Sequence, residues 1–307
     1  MKIVAVGAGA VGGYFGGRLA EAGEDVVFIA RGEHLDALRS GGLRLESPEG
    51  DLLLTEVQAT NDVAEVGTAD LVLVCVKGWQ VRDVAATIRP LVGPDTAVLP
   101  LQNGVEATDQ LAAVLGRERV LVGLCKILSM IAAPGHIRHM GIHPRVLLGE
   151  SDNASSRRVK AIMGAFERAG VAVENPPDIG VALWEKFLFI ASFGGVGAVT
   201  RSPAGVVRSV PESRALLQDA MQEIAAVATA RGLAFPGDAV SRALTFIDSM
   251  PEGAMSSMQR DIMEGRPSEL ESQNGAVVRL GSTAGVETPV HRFIFNALRP
   301  MEMAARG

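Results

Sequence analysis

The chain has 307 residues, of which 48% are hydrophobic and 21% charged, and its formal net charge is -6. This length and composition predict two folded domains and exclude an intrinsically disordered chain. The acidic balance argues against a nucleic-acid partner, because binding phosphate backbones needs a clustered basic surface.

The sequence indicates neither an export signal nor a membrane span. Met1–Val6 run straight into an apolar strand, without the regions in series that mark a signal peptide. The longest uncharged stretch, Phe187–Thr200, is shorter than the ~20 residues that a bilayer crossing needs, so we interpret it as part of a buried helix. Cys75 and Cys125 lie in apolar runs and predict buried, reduced thiols. We therefore expect a cytoplasmic protein.

Residues 1–175 alternate short apolar runs with helical stretches, which is typical of a parallel, doubly wound α/β sheet. Strands covered by helices on both faces are continuously apolar in this way. The predicted strands are Ile3–Val6, Asp25–Ala30, Leu71–Val76, Thr96–Pro100, Val120–Leu124 and Val171–Glu174.

Strand patterns stop at Pro176-Pro177, a pair that cannot continue regular structure and suits a hinge. The helical patterns that follow cover residues 179–198, 212–231, 237–248, 256–264 and 268–283. The sequence thus predicts an α/β domain at 1–176 and an all-helical domain at 177–307.

The first strand leads into a glycine-rich turn, Gly7-Ala8-Gly9-Ala10-Val11-Gly12, which opens a helix closed by Gly23. The first glycine permits the tight turn, the second lets the backbone approach a pyrophosphate, and the third lets helix and strand pack closely. We predict that all six residues of the turn bind a dinucleotide. A plain glycine-rich turn is the alternative, but the position directly after an apolar strand favours the dinucleotide.

Arg31 follows the second strand, where an enzyme that uses NAD carries an acidic residue against the ribose hydroxyls. A guanidinium can bind a 2'-phosphate through two hydrogen bonds. Arg31 therefore predicts NADP as the cofactor, with a solvated arginine at the start of a loop as the alternative.

Lys77 and Asn103 each come just after a buried strand. Ligands of open parallel sheets bind beyond the carboxyl ends of the strands, so both residues are candidates for contacts with cofactor and substrate. A strand-end lysine in water and a turn residue before Gly104 are the respective alternatives.

Lys186 has only apolar neighbours three and four positions away along its predicted helix. Its ammonium group either extends to water or lies in a cleft, where desolvation would favour its use as a general acid. Further along, Gly265-Arg266-Pro267 ends one predicted helix, and Pro267 can start the next. This places Glu269 in a first helical turn, where a carboxylate is favoured with or without a function.

These residues together resemble the ketopantoate reductase (2-dehydropantoate 2-reductase) family over nearly the whole chain. The resemblance implies a Rossmann-type domain, a helical domain, and hydride transfer from NADPH to a 2-oxo acid such as the precursor of pantoate in pantothenate biosynthesis. The motifs that recur in order are Gly7–Gly12, Arg31, Val76–Gln80, Gln102–Gly104, Trp184–Lys186, Ser256–Met258 and Glu269 with Asn274-Gly275.

The resemblance also implies roles for single residues. Lys186 matches the proton donor to the alkoxide, and Glu269 matches a carboxylate at the junction of cofactor and substrate. Asn103 matches a contact to both ligands, Ser257 a substrate contact and Lys77 a contact to the cofactor. No metal is implied, and a homodimer formed through the helical domain is an expectation of the same kind.

Four positions depart from the family pattern: Ile190, Gly194, Ala204 and Ala254 stand where asparagines are usual. Each lost hydrogen bond would weaken binding of a hydroxylated substrate by roughly 1 to 3 kcal/mol. We therefore expect either a 2-dehydropantoate 2-reductase or a paralogue with an altered pocket that reduces a less polar 2-oxo acid. An opine-type or other hydroxy-acid dehydrogenase and a non-catalytic NADPH-binding regulator are the alternatives.

Overall fold

A computed structural model describes all 307 residues, which form two compact units. The first unit comprises Met1–Gln102 and Ala107–Ile179, and the second comprises Asn103–Glu106 and Gly180–Gly307. The division thus falls just beyond Pro176-Pro177, and one short segment inside the α/β region belongs to the helical unit.

The first unit contains all the strands and five α-helices. The strands are β1 (Lys2–Val6), β2 (Asp25–Ile29), β3 (Leu43–Glu46), β4 (Leu52–Leu54), β5 (Gln58–Thr60), β6 (Ala69–Val74), β7 (Val92–Pro100), β8 (Val122–Lys126), β9 (Ser129–Ala133), β10 (His136–His139), β11 (Arg145–Gly149) and β12 (Ala172–Glu174). The helices are α1 (Ala10–Glu21), α2 (Gly32–Gly41), α3 (Val81–Thr87), α4 (Ala107–Leu115) and α5 (Arg157–Arg168).

Five parallel strands form the central sheet in the order β5-β2-β1-β6-β7. Residues that alternate along β1 face two separate apolar clusters, one containing Ile3 and Ala5 and the other Val4 and Val6. Both faces of the sheet are therefore covered, which explains why these strands are continuously apolar. The predicted doubly wound α/β fold is confirmed.

Two of the six predicted strands lie outside this sheet, which corrects the expected arrangement. β8 and β12 flank β11 in a three-stranded sheet, and β8 runs antiparallel to β11. A further sheet, in the order β4-β3-β10-β9, was not predicted. Its strands have three to five residues and include polar sequences such as His136–His139, so they lack the apolar runs used for prediction. β6 also ends at Val74 rather than Val76.

The second unit is all helical, as predicted. Its helices are α6 (Ile179–Thr200, whose first residue belongs to the first unit), α7 (Ala204–Ser209), α8 (Pro211–Ala230), α9 (Ala239–Ser249), α10 (Ser257–Met263), α11 (Asn274–Ala284) and α12 (Pro289–Arg306). The sequence did not indicate α7 or α12. By length and composition alone α6 could cross a membrane, but 61% of its most apolar window is buried, which matches the core helix expected here.

The expected helix at 268–283 starts late, at Asn274. Glu269 therefore lies in an irregular turn before α11, not in a first helical turn as expected. Glu302 explains part of the delay, because its carboxylate accepts hydrogen bonds from the backbone nitrogen of Ser268, at 3.0 and 3.2 Å. This side chain from α12 holds the turn in place of helical bonds.

Candidate functional site

The glycine-rich turn between β1 and α1 is fastened to the end of β2. Gly7 has a φ of +90°, which favours glycine. The backbone nitrogens of Gly7 and Ala8 both donate to the carbonyl of Ile29, at 3.1 and 3.0 Å. Gly9 caps α1 without a side-chain bond, and the first turn of α1 has no acidic residue. The N-H groups at the start of α1 therefore form a site suited to an anion.

Gly12 shows why the third glycine of the turn is required. A Cβ atom added there would lie 2.3 Å from the carbonyl oxygen of Gly7 and 3.0 Å from the Cβ of Cys75. Both contacts are shorter than van der Waals separation, and the nearer is with backbone. Any side chain at position 12 would force helix and turn apart.

Arg31 lies two residues after β2 and is the N-cap residue of α2. Its side chain is exposed, and it follows the strand end that fixes the glycine-rich turn. A guanidinium placed there is available to a phosphate group on the ribose next to that turn.

His34 is a component of this region that the sequence reasoning missed. Its Nδ1 accepts a hydrogen bond from the backbone nitrogen of Gly135, at 3.1 Å, so the imidazole must carry its proton on Nε2 when neutral. Nε2 then donates to the carbonyl of Ala8, at 2.7 Å. His34 thereby connects the glycine-rich turn to the β9–β10 hairpin. Its position three residues after Arg31 was the only signal available.

Lys77 is exposed and precedes a short 3₁₀ helix, Gly78–Gln80. Its ammonium group lies 5.9 Å from the centre of the Trp79 ring. Gln102, which belongs to the recurring Gln102–Gly104 motif but was given no role, is buried and donates from Nε2 to the carbonyls of Val74 and Val76, at 2.7 and 3.1 Å. It fixes the ends of β6 and β7, after which Lys77 and Asn103 follow.

In the second unit the structure joins two predicted site residues that are far apart in sequence. Asn103 donates from Nδ2 to Oε2 of Glu269, at 3.2 Å. Glu269 is only 5% exposed, so this amide bond contributes to holding a carboxylate that is largely withdrawn from water.

Lys186 is half-buried on α6, between the half-buried Glu185 and the buried Phe187. Further along that helix the rings of Phe189 and Phe193 stack at 5.7 Å, and Phe189 also meets Phe246 edge-on at 5.1 Å. The lysine therefore projects from a helix whose surroundings are mainly apolar.

The predicted substrate contact at Ser257 is the first residue of α10 and is half-buried. The capping role belongs to its neighbour Ser256, whose Oγ accepts from the backbone nitrogen of Gln259 at 3.0 Å. The two serines thus have different positions, and only the hydroxyl of Ser256 has an evident structural task.

The four departures from the family pattern fall in two places. Ala204 and Ala254 are neighbours, because the backbone nitrogen of Ala204 donates to the carbonyl of Ala254 at 2.9 Å. Gly194 is buried against α10, since an added Cβ would lie 3.0 Å from Oγ of Ser256 and 3.2 Å from Cε of Met258. Ile190 is half-buried one turn before Gly194 on α6. All four positions lack a side chain able to hydrogen-bond.

A cavity of about 350 Å³ opens near the end of α1, away from every predicted site residue. Two of its lining residues, Arg18 and Arg168, are paired with Glu21 and Glu24 respectively. The cavity offers no unpaired arginine to a ligand, so we assign it no role. No cluster of His, Cys, Asp and Glu side chains could hold a metal ion.

Comparison with known proteins places this geometry in context. Residues 3–153 match the family model described as ketopantoate reductase PanE/ApbA, and residues 178–302 match the model of its C-terminal part. An uncharacterised oxidoreductase of Bacillus subtilis is 30% identical over 98% of this chain and 99% of its own. A 2-dehydropantoate 2-reductase of Mesorhizobium japonicum is 32% identical over 94% of both chains.

Among solved structures, a PanE/ApbA family ketopantoate reductase from Ralstonia eutropha superposes with a TM-score of 0.91. It is 33% identical, and the match covers all of both chains. The similarity therefore extends to both units.

Proposed function

The chain belongs to the ketopantoate reductase family, and from this premise we propose that it transfers a hydride from NADPH to the ketone of a small 2-oxo acid. Membership of the family makes the protein an oxidoreductase. The observation that carries the proposal is the 3.2 Å hydrogen bond between Asn103 and Glu269. It unites two residues that the resemblance assigns to the junction of cofactor and substrate.

The first unit has the features that NADPH requires. The uncapped start of α1 and the glycines around it suit the pyrophosphate, and the exposed Arg31 suits the 2'-phosphate. Lys77 would contribute a further positive charge near the cofactor. We assign binding of the pyrophosphate and of the 2'-phosphate to this unit.

The reaction needs a proton as well as a hydride. NADPH, when bound, supplies the hydride to the carbonyl carbon. Lys186 donates a proton to the carbonyl oxygen as it gains negative charge, so that the product is a 2-hydroxy acid and the lysine is recharged from solvent. General acid catalysis of this kind contributes roughly 10²- to 10⁴-fold to the rate.

The substrate is less hydroxylated than ketopantoate. Ile190, Gly194, Ala204 and Ala254 provide no hydrogen-bonding side chain, and the rings of Phe189 and Phe193 lie on the same helix as Lys186. A site of this kind gains little from a substrate hydroxyl that it cannot pair. We propose a 2-oxo acid with an apolar side chain.

The test is a screen of NADPH oxidation with ketopantoate and a series of 2-oxo acids that have alkyl or aromatic side chains. We expect kcat/KM to be higher for the apolar acids. Lys186→Met should lower kcat at least ~10²-fold without changing NADPH affinity, whereas Lys160→Met, at an exposed lysine of α5, should change neither.

Two results would contradict the proposal. Full activity of Lys186→Met would remove the lysine from the mechanism. NADPH binding without turnover of any acid would favour the alternative of a non-catalytic regulator.

A further inference from the structure

Two amide groups, not one, meet at the carboxylate of Glu269. Besides Asn103, the side chain of Gln273 donates from Nε2 to the same oxygen, Oε2, at 3.4 Å. Because both amides bond to the same oxygen, they restrict the rotation of the carboxylate and fix where its other oxygen points. Gln273 is not among the residues that the sequence reasoning selected.

Gln273 is poorly suited to a purely structural role. Its side chain is 2% exposed, and its Oε1 is buried without any hydrogen-bond partner. A buried acceptor left unpaired is a cost to folding, and an apolar side chain of similar shape would avoid that cost. The one polar contact that the amide makes is the bond to Glu269.

The backbone around Gln273 holds the amide in place. Gln273 is the N-cap residue of α11, and its own backbone nitrogen donates to the carbonyl of Glu269 at 2.9 Å. The two residues are therefore joined through both backbone and side chain, which makes the turn from 269 to 273 a closed unit.

Two glycines make room for this turn. Gly104 has a φ of +126°, and an added Cβ would lie 2.9 Å from the carbonyl oxygen of Ser272. On the other side, a Cβ at Gly194 would lie 3.6 Å from Oε1 of Gln273. The absence of a side chain at position 194 thus leaves the space next to the Gln273 amide, one of the positions where the usual asparagine is missing.

We propose that Gln273 is a positioning residue, which holds the Glu269 carboxylate in the orientation that the proposed reaction requires. It acts from the start of α11, with Asn103 as its counterpart. This inference rests on the proposed reductase function, because Glu269 has a task only if that reaction occurs.

The experiment is a double-mutant cycle between Gln273→Met and Glu269→Gln, measured with NADPH and the best oxo acid. Gln273→Met keeps the length of the side chain and removes its hydrogen bonds. We expect kcat to fall about tenfold, the KM for NADPH to stay within twofold, and the melting temperature to stay or rise. In the Glu269→Gln background the same change should alter kcat less than twofold, because the carboxylate through which it acts is gone.

The outcomes separate this inference from the function on which it rests. If the wild-type chain turns over no oxo acid, the proposed function fails and the role of Gln273 fails with it. The second case is an active wild type and an impaired Glu269→Gln variant. The role of Gln273 alone is then refuted if Gln273→Met behaves as the wild type. It is also refuted if the two substitutions lower kcat independently, so that their effects multiply in the double variant.

A second variant keeps the test decisive if Gln273→Met does not fold. Gln273→Glu would place two carboxylates together, which disfavours the orientation of Glu269 at pH 8. At pH 5.5 the added carboxyl can take up a proton and donate it as the amide does. We expect the activity relative to wild type to rise at least threefold from pH 8 to pH 5.5. A ratio independent of pH would refute the proposal.

Discussion

The candidate sites of the two units are built in different ways. In the first unit the proposed phosphate-binding site consists of backbone groups within a single strand-turn-helix segment, Gly7–Gly12. In the second, side chains from distant segments, Asn103 and Glu269, are brought together by packing. The geometry of a site built from backbone groups depends on the positions of its glycines. The geometry of a site built from side chains depends on the helices and turns that hold those side chains. The four predictions that follow test this difference, from the largest expected effect to the smallest.

Gly12→Val should disrupt the backbone-built site. The added side chain would meet the carbonyl of Gly7 at 2.3 Å, and relieving this contact moves the start of α1. We expect NADPH affinity to fall by about 3 kcal/mol, roughly a hundredfold or more, which calorimetry would measure. Gly237→Val, where an added Cβ meets nothing within 4 Å and the backbone does not have a positive φ, is a control for a glycine change outside the turn. Unchanged affinity in Gly12→Val would mean that the turn does not hold the nucleotide.

The scaffold of the second site should weaken in acid. His291 is fully buried, donates from Nε2 to the carbonyl of Ala220 and accepts at Nδ1 from Nδ2 of Asn274, the first residue of α11. Burial lowers the pKa of His291 from 6.5 to about 4. The unfolded chain therefore takes up a proton as pH falls below 6.5, while the folded chain does not. The free energy of unfolding should drop by roughly 3 kcal/mol between pH 6.5 and pH 4.

Urea unfolding followed by circular dichroism at pH 7.5 and pH 4.5 measures this loss. The variant His291→Gln should show a smaller loss of stability over that interval than the wild type. His143→Gln, at an exposed histidine that pairs with the exposed Glu49, is the control for loss of an imidazole and should keep most of the wild-type dependence, because exposed ion pairs contribute little to stability. An equal loss in all three proteins would exclude His291 as the cause.

Arg31→Asp tests whether a side chain adds selectivity to the backbone-built site. Removing the guanidinium loses a charge-assisted bond to the 2'-phosphate, and the new carboxylate repels it. We expect the ratio of kcat/KM for NADPH to that for NADH to fall about thirtyfold, about 2 kcal/mol. Arg39→Asp, on the same helix, is the control. A constant ratio would refute the assignment of NADP.

His34→Leu should have the smallest effect, because it removes a support of the turn and leaves the turn itself intact. Loss of the bond to the carbonyl of Ala8 should weaken NADPH binding by ~1 kcal/mol, about fivefold. The KM for the oxo acid should not change. If His143→Leu weakened NADPH binding equally, the effect would not arise from His34.

The central sheet could be predicted because each of its longer strands is continuously apolar, a direct result of burial on both faces. The second sheet could not, since β9 exposes four of its five residues and β10 carries two histidines and an arginine. Helix α12 could not be predicted either. It begins at Pro289 after a region without a clear pattern, and two of its four buried residues, His291 and Glu302, are polar. Such residues are buried because specific partners pair with them, and sequence pattern does not reveal the partners.

The candidate sites follow the same rule. The proposed role of Gly7–Gly12 could be inferred from the spacing of its glycines and their position after an apolar strand. Ser257 and Glu269 gained roles only through the family resemblance, which also favoured one of the two interpretations of Lys186. His34 and Gln102 received no role because each acts on backbone groups far away in sequence. Gln273 acts on Glu269, four residues away, within a turn that the sequence predicted as helix. The start of α11 was misplaced for a related reason, since the bonds from Glu302 to Ser268 are invisible to local pattern.

The segment Asn103–Glu106 belongs to the helical unit although it is flanked on both sides by the α/β unit. Pro176-Pro177 is the obvious place to join the halves of two related proteins. A junction there would nevertheless not separate the two compact units, because Asn103–Glu106 precedes it in the chain. A chimera joined there would take Asn103 from one parent and Glu269 from the other. To exchange substrate preference between two relatives, both separate stretches of the second unit would have to be exchanged, Asn103–Glu106 together with the helices.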